Sequence, residues 1–231
     1  MSPFTFYTMS TQPMADRLPH FEPHLPDGTL KIIEIYGVSG CGKTFLLNEL
    51  RSRFGHEHYL YFDGSELILS AMGPGSTIHN FQQLTKDNKA KLRVKAMKQI
   101  RVDCISMKKA GIVVGHLILY DDDSELEEVY TYTDLETYTH IFYLEVSPEM
   151  ILERRERDDK KRRPRLNLET IDLWQRTEKA MLRELRLKNK ILYFNLNNRQ
   201  ADVTNATAAI MINTYMQRSV VSNTAIAICD T

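Results

Sequence analysis

The sequence has few cysteines, no surplus of either charge and no long apolar run. Its 231 residues include three cysteines, Cys41, Cys104 and Cys229, an odd number without C-x-x-C spacing. This set argues against a disulfide framework and against a structural zinc site. Thirty basic residues balance thirty acidic ones, so bulk charge does not favour nucleic acid or an anionic membrane as a partner. The longest apolar run, Gly111 to Tyr120, is far shorter than the ~20 residues of a membrane-spanning helix.

A secretory signal is also missing, because no positive segment followed by an apolar one occurs at the N-terminus. Hydrophobic residues make up 42% of the chain and charged residues 26%, values that favour a folded domain over wholesale disorder. We therefore expect a cytoplasmic protein with reduced thiols, no membrane partner and an oligomeric state that the sequence leaves open.

The order of elements along the chain predicts one folded α/β domain between two tails. Residues 1–28 hold five prolines and no apolar periodicity, which is typical of an irregular arm. Residues 29–218 alternate apolar strand segments with amphipathic helices, and residues 219–231 form a C-terminal tail. Strands that are apolar on both faces indicate a parallel sheet of about five strands within a three-layer α/β/α sandwich.

The individual strands and helices follow from the same patterns. Predicted strands cover Leu30–Tyr36, Tyr59–Phe62, Ile112–Leu119, Ile141–Val146 and Lys190–Leu196. Predicted helices cover Lys43–Phe54, Lys86–Ala110, a segment that starts at Pro148, Leu168–Leu187 and Ala201–Met216.

A phosphate-binding motif lies between the first strand and the first helix. The segment GVSGCGKT matches G-x-x-x-x-G-K-[ST] without a mismatch, and we call it the phosphate loop: Gly37, Val38, Ser39, Gly40, Cys41, Gly42, Lys43 and Thr44. Its backbone N–H groups and the helix N-terminus can cradle an anion. We expect Lys43 to reach the β- and γ-phosphates of ATP and the Thr44 hydroxyl to ligate Mg²⁺.

The motif alone does not settle the class of nucleotide-binding protein. GTPases carry a guanine-reading N/T-K-x-D segment after a strand, and the sequence has none. AAA-type ATPases carry adjacent Asp and Glu at the end of an apolar strand and a helical lid domain, and neither pattern occurs here. The sequence therefore argues against both a GTPase and an AAA-type ATPase.

The chain from Leu30 to Leu196 resembles the adenylate kinase-like branch of P-loop kinases, of the gluconate, shikimate and adenylylsulfate kinase type. The resemblance depends on the phosphate loop, on FDGSEL (Phe62–Leu67), on VVGH (Val113–His116) and on the arginine-rich segment Arg154–Asp158. It implies a five-stranded parallel sheet, ATP and Mg²⁺ as cofactors, and a small-molecule hydroxyl as substrate. It also implies a lid that closes over ATP, here near residues 153–165.

The resemblance assigns roles to four further residues. Asp63 corresponds to the acidic residue that faces the acceptor hydroxyl or the metal, although an Asp-Gly pair also caps helices. His116 is a candidate substrate contact, and a packed core histidine is the alternative. Arg154 and Arg157, three residues apart, are the catalytic candidates of the lid, while an i, i+4 pair between Glu153 and Arg157 is the structural alternative.

The sequence therefore predicts a kinase that transfers the γ-phosphoryl group of ATP to a hydroxyl of a small metabolite, with Lys43, Asp63, Arg154 and Arg157 as catalytic residues. A nucleic-acid 5′-hydroxyl kinase remains open, with the basic segment Lys86–Lys109 as its phosphate-tracking face, although neutral charge weighs against it. A non-catalytic ATP-binding sensor also remains open. Within the phosphate loop, we expect a lowered pKa for the Cys41 thiol, beside Lys43 and the helix N-terminus.

The last residues carry a second resemblance. Thr224–Thr231 has the pattern of a strand that ends in an aspartate. In this it resembles fungal multidomain proteins, in which a kinase module precedes a haloacid dehalogenase-like domain. The expectation is that the chain is a shortened or split version of such a protein.

Overall fold

The computed structural model describes residue 28 and residues 30–120, 125–158 and 164–198. The predictions for the N-terminal arm before residue 28, for the helix Ala201–Met216 and for the tail 219–231 lie outside these residues. So do the acidic residues 121–124 and the central part of the predicted lid, residues 159–163.

The core of the protein is a five-stranded parallel sheet with the strand order β2-β3-β1-β6-β7. Its strands are β1 (Ile32–Tyr36), β2 (Tyr59–Asp63), β3 (Ala110–Val114), β6 (His140–Val146) and β7 (Leu192–Asn198). With helices flanking the sheet, this is the predicted three-layer α/β/α fold, and the prediction of about five strands is confirmed.

The central strand β1 explains why the phosphate loop lies where it does. All five residues of β1 are buried, because β3 and β6 pair with it in parallel on either side. Its β-branched and aromatic residues suit such a strand, which is apolar on both faces apart from Glu34. The chain leaves β1 at its carboxyl end, where parallel strands of a sheet place their ligands.

Seven helices connect the strands within the described residues: α1 (Lys43–Phe54), α2 (Gly64–Met72), α3 (Ile78–Gln82), α4 (Lys86–Met107), α5 (Tyr132–Thr137), α6 (Pro148–Arg157) and α7 (Leu168–Asn189). Helix α4 is shorter than predicted, because Lys108 takes a left-handed conformation with φ 54° and Ala110 begins β3. Pro148 occupies the first turn of α6, where its missing N–H costs nothing.

The prediction of one strand over Ile112–Leu119 is wrong. Strand β3 ends at Val114, and a separate short strand, β4 (Ile118–Tyr120), pairs antiparallel with β5 (Leu126–Glu128). The two parts read as one apolar run because Leu117 and Ile118 are also buried in the core. Gly115 and His116 form the break, and the chain changes direction there.

The fold also shows the state of two cysteines and the character of the helices. Cys41 and Cys104 are free and buried, so no disulfide joins the cysteines that the structure describes. Among the described helices, none combines the length and the apolar character needed to cross a membrane.

Candidate active site

All three glycines of the phosphate loop have backbone conformations that a side chain would strain, and two of them lie under helix α6. Gly40 and Gly42 both have φ of +103°, in the left-handed region. A Cβ at Gly40 would lie 2.8 Å from Cγ of Arg155, and one at Gly42 would lie 3.1 Å from Nη1 of Arg154. Glycine is therefore needed at both positions for the loop to turn and for the two arginines of α6 to cover it.

The ammonium group of Lys43 lies over the phosphate loop. It donates a hydrogen bond to the Gly37 carbonyl and contacts the Val38 carbonyl at 3.3 Å. Lys43 is buried, although it is the first residue of α1. The loop thus holds a desolvated cation at its centre, beside the backbone that would cradle phosphates.

Thr44 and Asp63 meet across the carboxyl edge of β1 and β2. The Thr44 hydroxyl donates to Oδ2 of Asp63 at 3.1 Å, and the Ser65 backbone N–H donates to Oδ1 at 2.9 Å. Asp63 is therefore the N-cap of α2 and also the partner of the loop threonine. The capping alternative is confirmed, and the role of Asp63 toward an acceptor hydroxyl or a metal stays a prediction.

The Thr44–Asp63 pair suits Mg²⁺. A hydroxyl and a carboxylate oxygen are hard ligands, and Mg²⁺ typically takes one or two protein ligands and completes its shell with phosphate oxygens and water. Within the described residues, no group of three or more His, Cys, Asp or Glu side chains is placed to hold a metal by itself. The pair fits an ion whose remaining ligands come from a nucleotide and from water.

His116 also contacts the ammonium group of Lys43. Its Nδ1 is 3.4 Å from Nζ of Lys43, and its ring is half-buried. The turn after β3 brings it there, because Gly64 and Gly115 pack closely: a Cβ at Gly64 would lie 3.0 Å from the Val114 carbonyl. The structure therefore joins the end of β2, the turn after β3 and the phosphate loop at one edge of the sheet.

The arginines of α6 separate into two groups. Nη1 of Arg154 donates to the Cys41 carbonyl at 2.8 Å, and Nη1 of Arg155 donates to the Ser39 carbonyl at 3.1 Å. Arg157 instead forms a 2.5 Å ion pair with Glu153, and 76% of its side chain is exposed. Of the two predicted lid arginines, Arg154 thus covers the loop together with Arg155, whereas Arg157 forms the alternative pair with Glu153.

The sequence reasoning missed Arg155. The three-residue spacing of Arg154 and Arg157 suggested one helix face, but neighbouring residues diverge enough to reach two different loop carbonyls. Arg155 is also fixed by its hydrogen bond to the Pro164 carbonyl at 2.8 Å and by Trp174, whose ring lies 5.9 Å from its guanidinium carbon. Neither contact leaves a local signal in the sequence.

Two carboxyl groups lie buried beneath the loop, one on β1 and one on α7. Burial raises the pKa of Glu34 well above its usual range, and the Tyr138 hydroxyl and Lys43 offset this only in part. Burial likewise raises the pKa of Glu178 to about 7, against the opposing effects of Lys43 and Tyr143. Both groups are screened from solvent, with at most 1% of their surface exposed.

The expected activation of Cys41 is wrong. Burial raises the pKa of the Cys41 thiol, and the nearby Lys43 ammonium, 3.9 Å from the sulfur, offsets this only partly. Only 1% of the residue is exposed. The position within the loop therefore desolvates the thiol more than the cation activates it.

The fold and the loop together define a P-loop nucleotide-binding domain, and comparison with protein families gives it a name. A family model described as an AAA domain matches residues 36–172, more than half of the chain. The chain belongs to this family. The match fits the predicted adenylate kinase-like P-loop domain, and β3 is followed by Gly115 and His116 rather than by adjacent Asp and Glu.

Solved structures match the chain along most of its length. A shikimate kinase from Acinetobacter baumannii, in complex with shikimate, has 20% sequence identity and a TM-score of 0.52, and the match covers 81% of this chain and 93% of that one. A shikimate kinase from Bacteroides thetaiotaomicron has 14% identity and a TM-score of 0.53, with 81% and 99% coverage. No curated protein matches the chain. These likenesses confirm the predicted adenylate kinase-like P-loop fold.

Proposed function

We propose that the protein is an ATP-dependent phosphotransferase that moves the γ-phosphoryl group to a hydroxyl of a small molecule. The observation that carries the proposal is the convergence of Lys43, Thr44, Asp63 and His116 at the carboxyl edge of three adjacent strands. A loop that only binds a nucleotide needs the first two residues. The other two add a carboxylate and an imidazole where an acceptor would meet the γ-phosphate.

Each part of the site has a separate role in the proposed phosphoryl transfer. The loop amides and Lys43 hold the phosphates, and Thr44 and Asp63 are the residues that would hold Mg²⁺. When bound, the ion would neutralise charge on the phosphate oxygens. Asp63 thereby sits between the metal side and the acceptor side. Catalysis in such a site is mostly positioning and electrostatics.

The guanidinium groups of α6 supply the remaining charge. Arg154 and Arg155 donate to the loop carbonyls of Cys41 and Ser39, beside the backbone that would cradle the phosphates. Planar guanidinium groups stabilise the spread charge of a transferring phosphoryl group better than an ammonium does. We propose these two residues, rather than Arg154 and Arg157, as the lid arginines.

The contacts of the basic side chains on helix α4 favour a small-molecule acceptor over a nucleic acid. Two cations of this helix make contacts within the protein: Lys95 donates to the Ala71 carbonyl at 2.8 Å, and Arg93 lies over the Phe81 ring at 5.5 Å. Lys109, just after the helix, donates to the His56 carbonyl at 2.5 Å. These three cations of the basic segment Lys86–Lys109 are thus engaged in contacts within the protein, which supports a small-molecule acceptor.

The test is Mg²⁺-dependent ADP release from ATP, measured against pools of sugars, sugar acids, nucleosides and 5′-hydroxyl oligonucleotides. The proposal predicts that a small-molecule pool stimulates release and that Lys43→Ala and Asp63→Ala lose the stimulation. Stimulation by oligonucleotides alone would favour the nucleic-acid kinase. ATP binding without stimulation by any pool would favour the sensor.

A further inference from the structure

The site contains several titratable side chains, but few of them can touch a substrate. Glu34, Glu178 and Cys41 lie beneath or within the loop with at most 1% of their surface exposed. Their protons therefore cannot exchange directly with an acceptor hydroxyl at the edge of the sheet. Among the described residues around the loop, this leaves Asp63 and His116.

Asp63 has both carboxylate oxygens engaged. One accepts from the Ser65 backbone N–H and fixes the start of α2, and the other accepts from the Thr44 hydroxyl. The second contact turns Asp63 toward the residue that would hold Mg²⁺. A carboxylate committed to a helix cap and to the metal side is poorly placed to accept a proton from the acceptor.

His116 instead faces the lysine of the phosphate loop. The ammonium group of Lys43 has three donors and no acceptor, so the ring nitrogen that faces it must carry a lone pair. That nitrogen is Nδ1, at 3.4 Å, and this contact favours the tautomer of the neutral imidazole with its proton on Nε2. The basic nitrogen of His116 thus lies beside the side chain that binds the β- and γ-phosphates.

We propose that His116 is the proton acceptor of the phosphoryl transfer, a role that rests on the proposed function above. As Lys43 turns to the phosphates, Nδ1 is released toward the incoming hydroxyl. The acceptor oxygen forms its bond to the γ-phosphorus, and the bond from that phosphorus to the β,γ-bridging oxygen breaks, its electron pair leaving with ADP. The hydroxyl proton passes to Nδ1, and the imidazolium later returns it to solvent.

Chemical rescue tests this role. We would measure ADP release from Mg²⁺–ATP by the full chain with water as the acceptor, and with any pool that stimulates the parent. The variants are His116→Ala, Asp63→Asn and the control His58→Ala, each with and without imidazole. His58 lies just before β2, at the amino end of the sheet, with 42% of its side chain exposed.

The expected result is a loss of about 10²- to 10⁴-fold in His116→Ala, the range typical of a general base. Added imidazole should recover part of this loss. It should leave Asp63→Asn and His58→Ala unchanged, because neither lacks a base that imidazole can replace.

Two different failures are distinguishable. If the parent turns over but His116→Ala is equally active, or is inactive and insensitive to imidazole, the assignment of His116 is overturned and the kinase proposal stands. If the parent releases no ADP with water or with any pool, the proposed function fails and this role fails with it.

Discussion

The polar side chains on the two sides of the phosphate loop differ in their partners and in their burial. At the edge of the sheet, the side chains partner one another: Thr44 with Asp63 at 3.1 Å and Lys43 with His116 at 3.4 Å. Beneath the loop, Glu34 and Glu178 are enclosed, and burial favours their neutral forms. The edge keeps groups that can bind and exchange protons, whereas the buried side keeps groups whose protonation is linked to folding.

The largest effect should come from the centre of the edge. Lys43→Met keeps the length of the side chain and removes its charge, and we expect a loss of at least about 10³-fold in ADP release, because the β- and γ-phosphates lose their desolvated cation. Isothermal titration with Mg²⁺–ATP should show weakened binding as well. Arg53→Met, on the exposed face of the same helix, is the matched control. Equal turnover in the two variants would contradict the account.

The next effect should separate the charge of Asp63 from its capping role. Asparagine caps helices as well as aspartate does, so Asp63→Asn should retain the folding stability while it lowers turnover by about 10²-fold. The Mg²⁺ concentration needed for half-maximal rate should rise, because an amide is a weaker ligand than a carboxylate. Glu66→Gln, an exposed acid in the first turn of α2, is the control. An unchanged Mg²⁺ requirement would remove Asp63 from the metal side.

A third prediction distinguishes the arginines of α6. Arg154→Ala and Arg155→Ala should each lower turnover by roughly 10²-fold, since both cover the loop. Arg157→Ala should change it by less than about threefold, because its guanidinium pairs with Glu153 and 76% of its side chain is exposed. Steady-state kinetics decides the matter. A larger loss in Arg157→Ala than in Arg155→Ala would restore the spacing argument made from the sequence.

Substitution of the buried carboxyl group of Glu178 should have the smallest effect on turnover but a clear effect on the free energy of unfolding. The pKa of Glu178 is raised to about 7, above the ordinary value of 4.5 that it regains on unfolding. The folded state therefore binds the proton more tightly, and the stability of the parent falls as pH rises from about 4.5 to about 7. Glu178→Gln lacks this loss and should exceed the parent by roughly 3 kcal/mol at pH 8.

Urea unfolding at pH 5 and pH 8 measures this difference. Glu184→Gln, on the same helix with 75% of its side chain exposed, serves as the control and should follow the parent at both pH values. A pH dependence that is the same in the parent and in Glu178→Gln would show that the Glu178 carboxyl is not the linked group.

The sequence predicts the parts of this molecule that depend on local chemistry. The strand, the glycine-rich loop and the helix from Lys43 to Phe54 follow from periodicity and from the left-handed turns at Gly40 and Gly42. The parallel sheet follows from strands that are apolar on both faces. These features can be predicted because each depends on residues that are close together in the sequence.

The missed features depend on contacts between distant segments. The break at Gly115 and His116 is hidden because the residues after it are buried by other parts of the core. The contact of Arg155 with Ser39 spans 116 residues, and it separates Arg155 from Arg157 although both lie in one helical turn. The neutral state of Cys41 depends on how completely the fold encloses it, which its charged neighbours in the sequence do not reveal.

The most direct test of the central claim is to follow the γ-phosphorus of ATP itself. ³¹P NMR of Mg²⁺–ATP with the protein and each acceptor pool would distinguish a new phosphate monoester from inorganic phosphate. The account predicts that the γ-resonance is replaced by a monoester resonance with one small-molecule pool, and that Lys43→Met leaves ATP unchanged. If ATP binds but yields only inorganic phosphate, or no product with any pool, the site does not transfer phosphoryl groups to a hydroxyl acceptor.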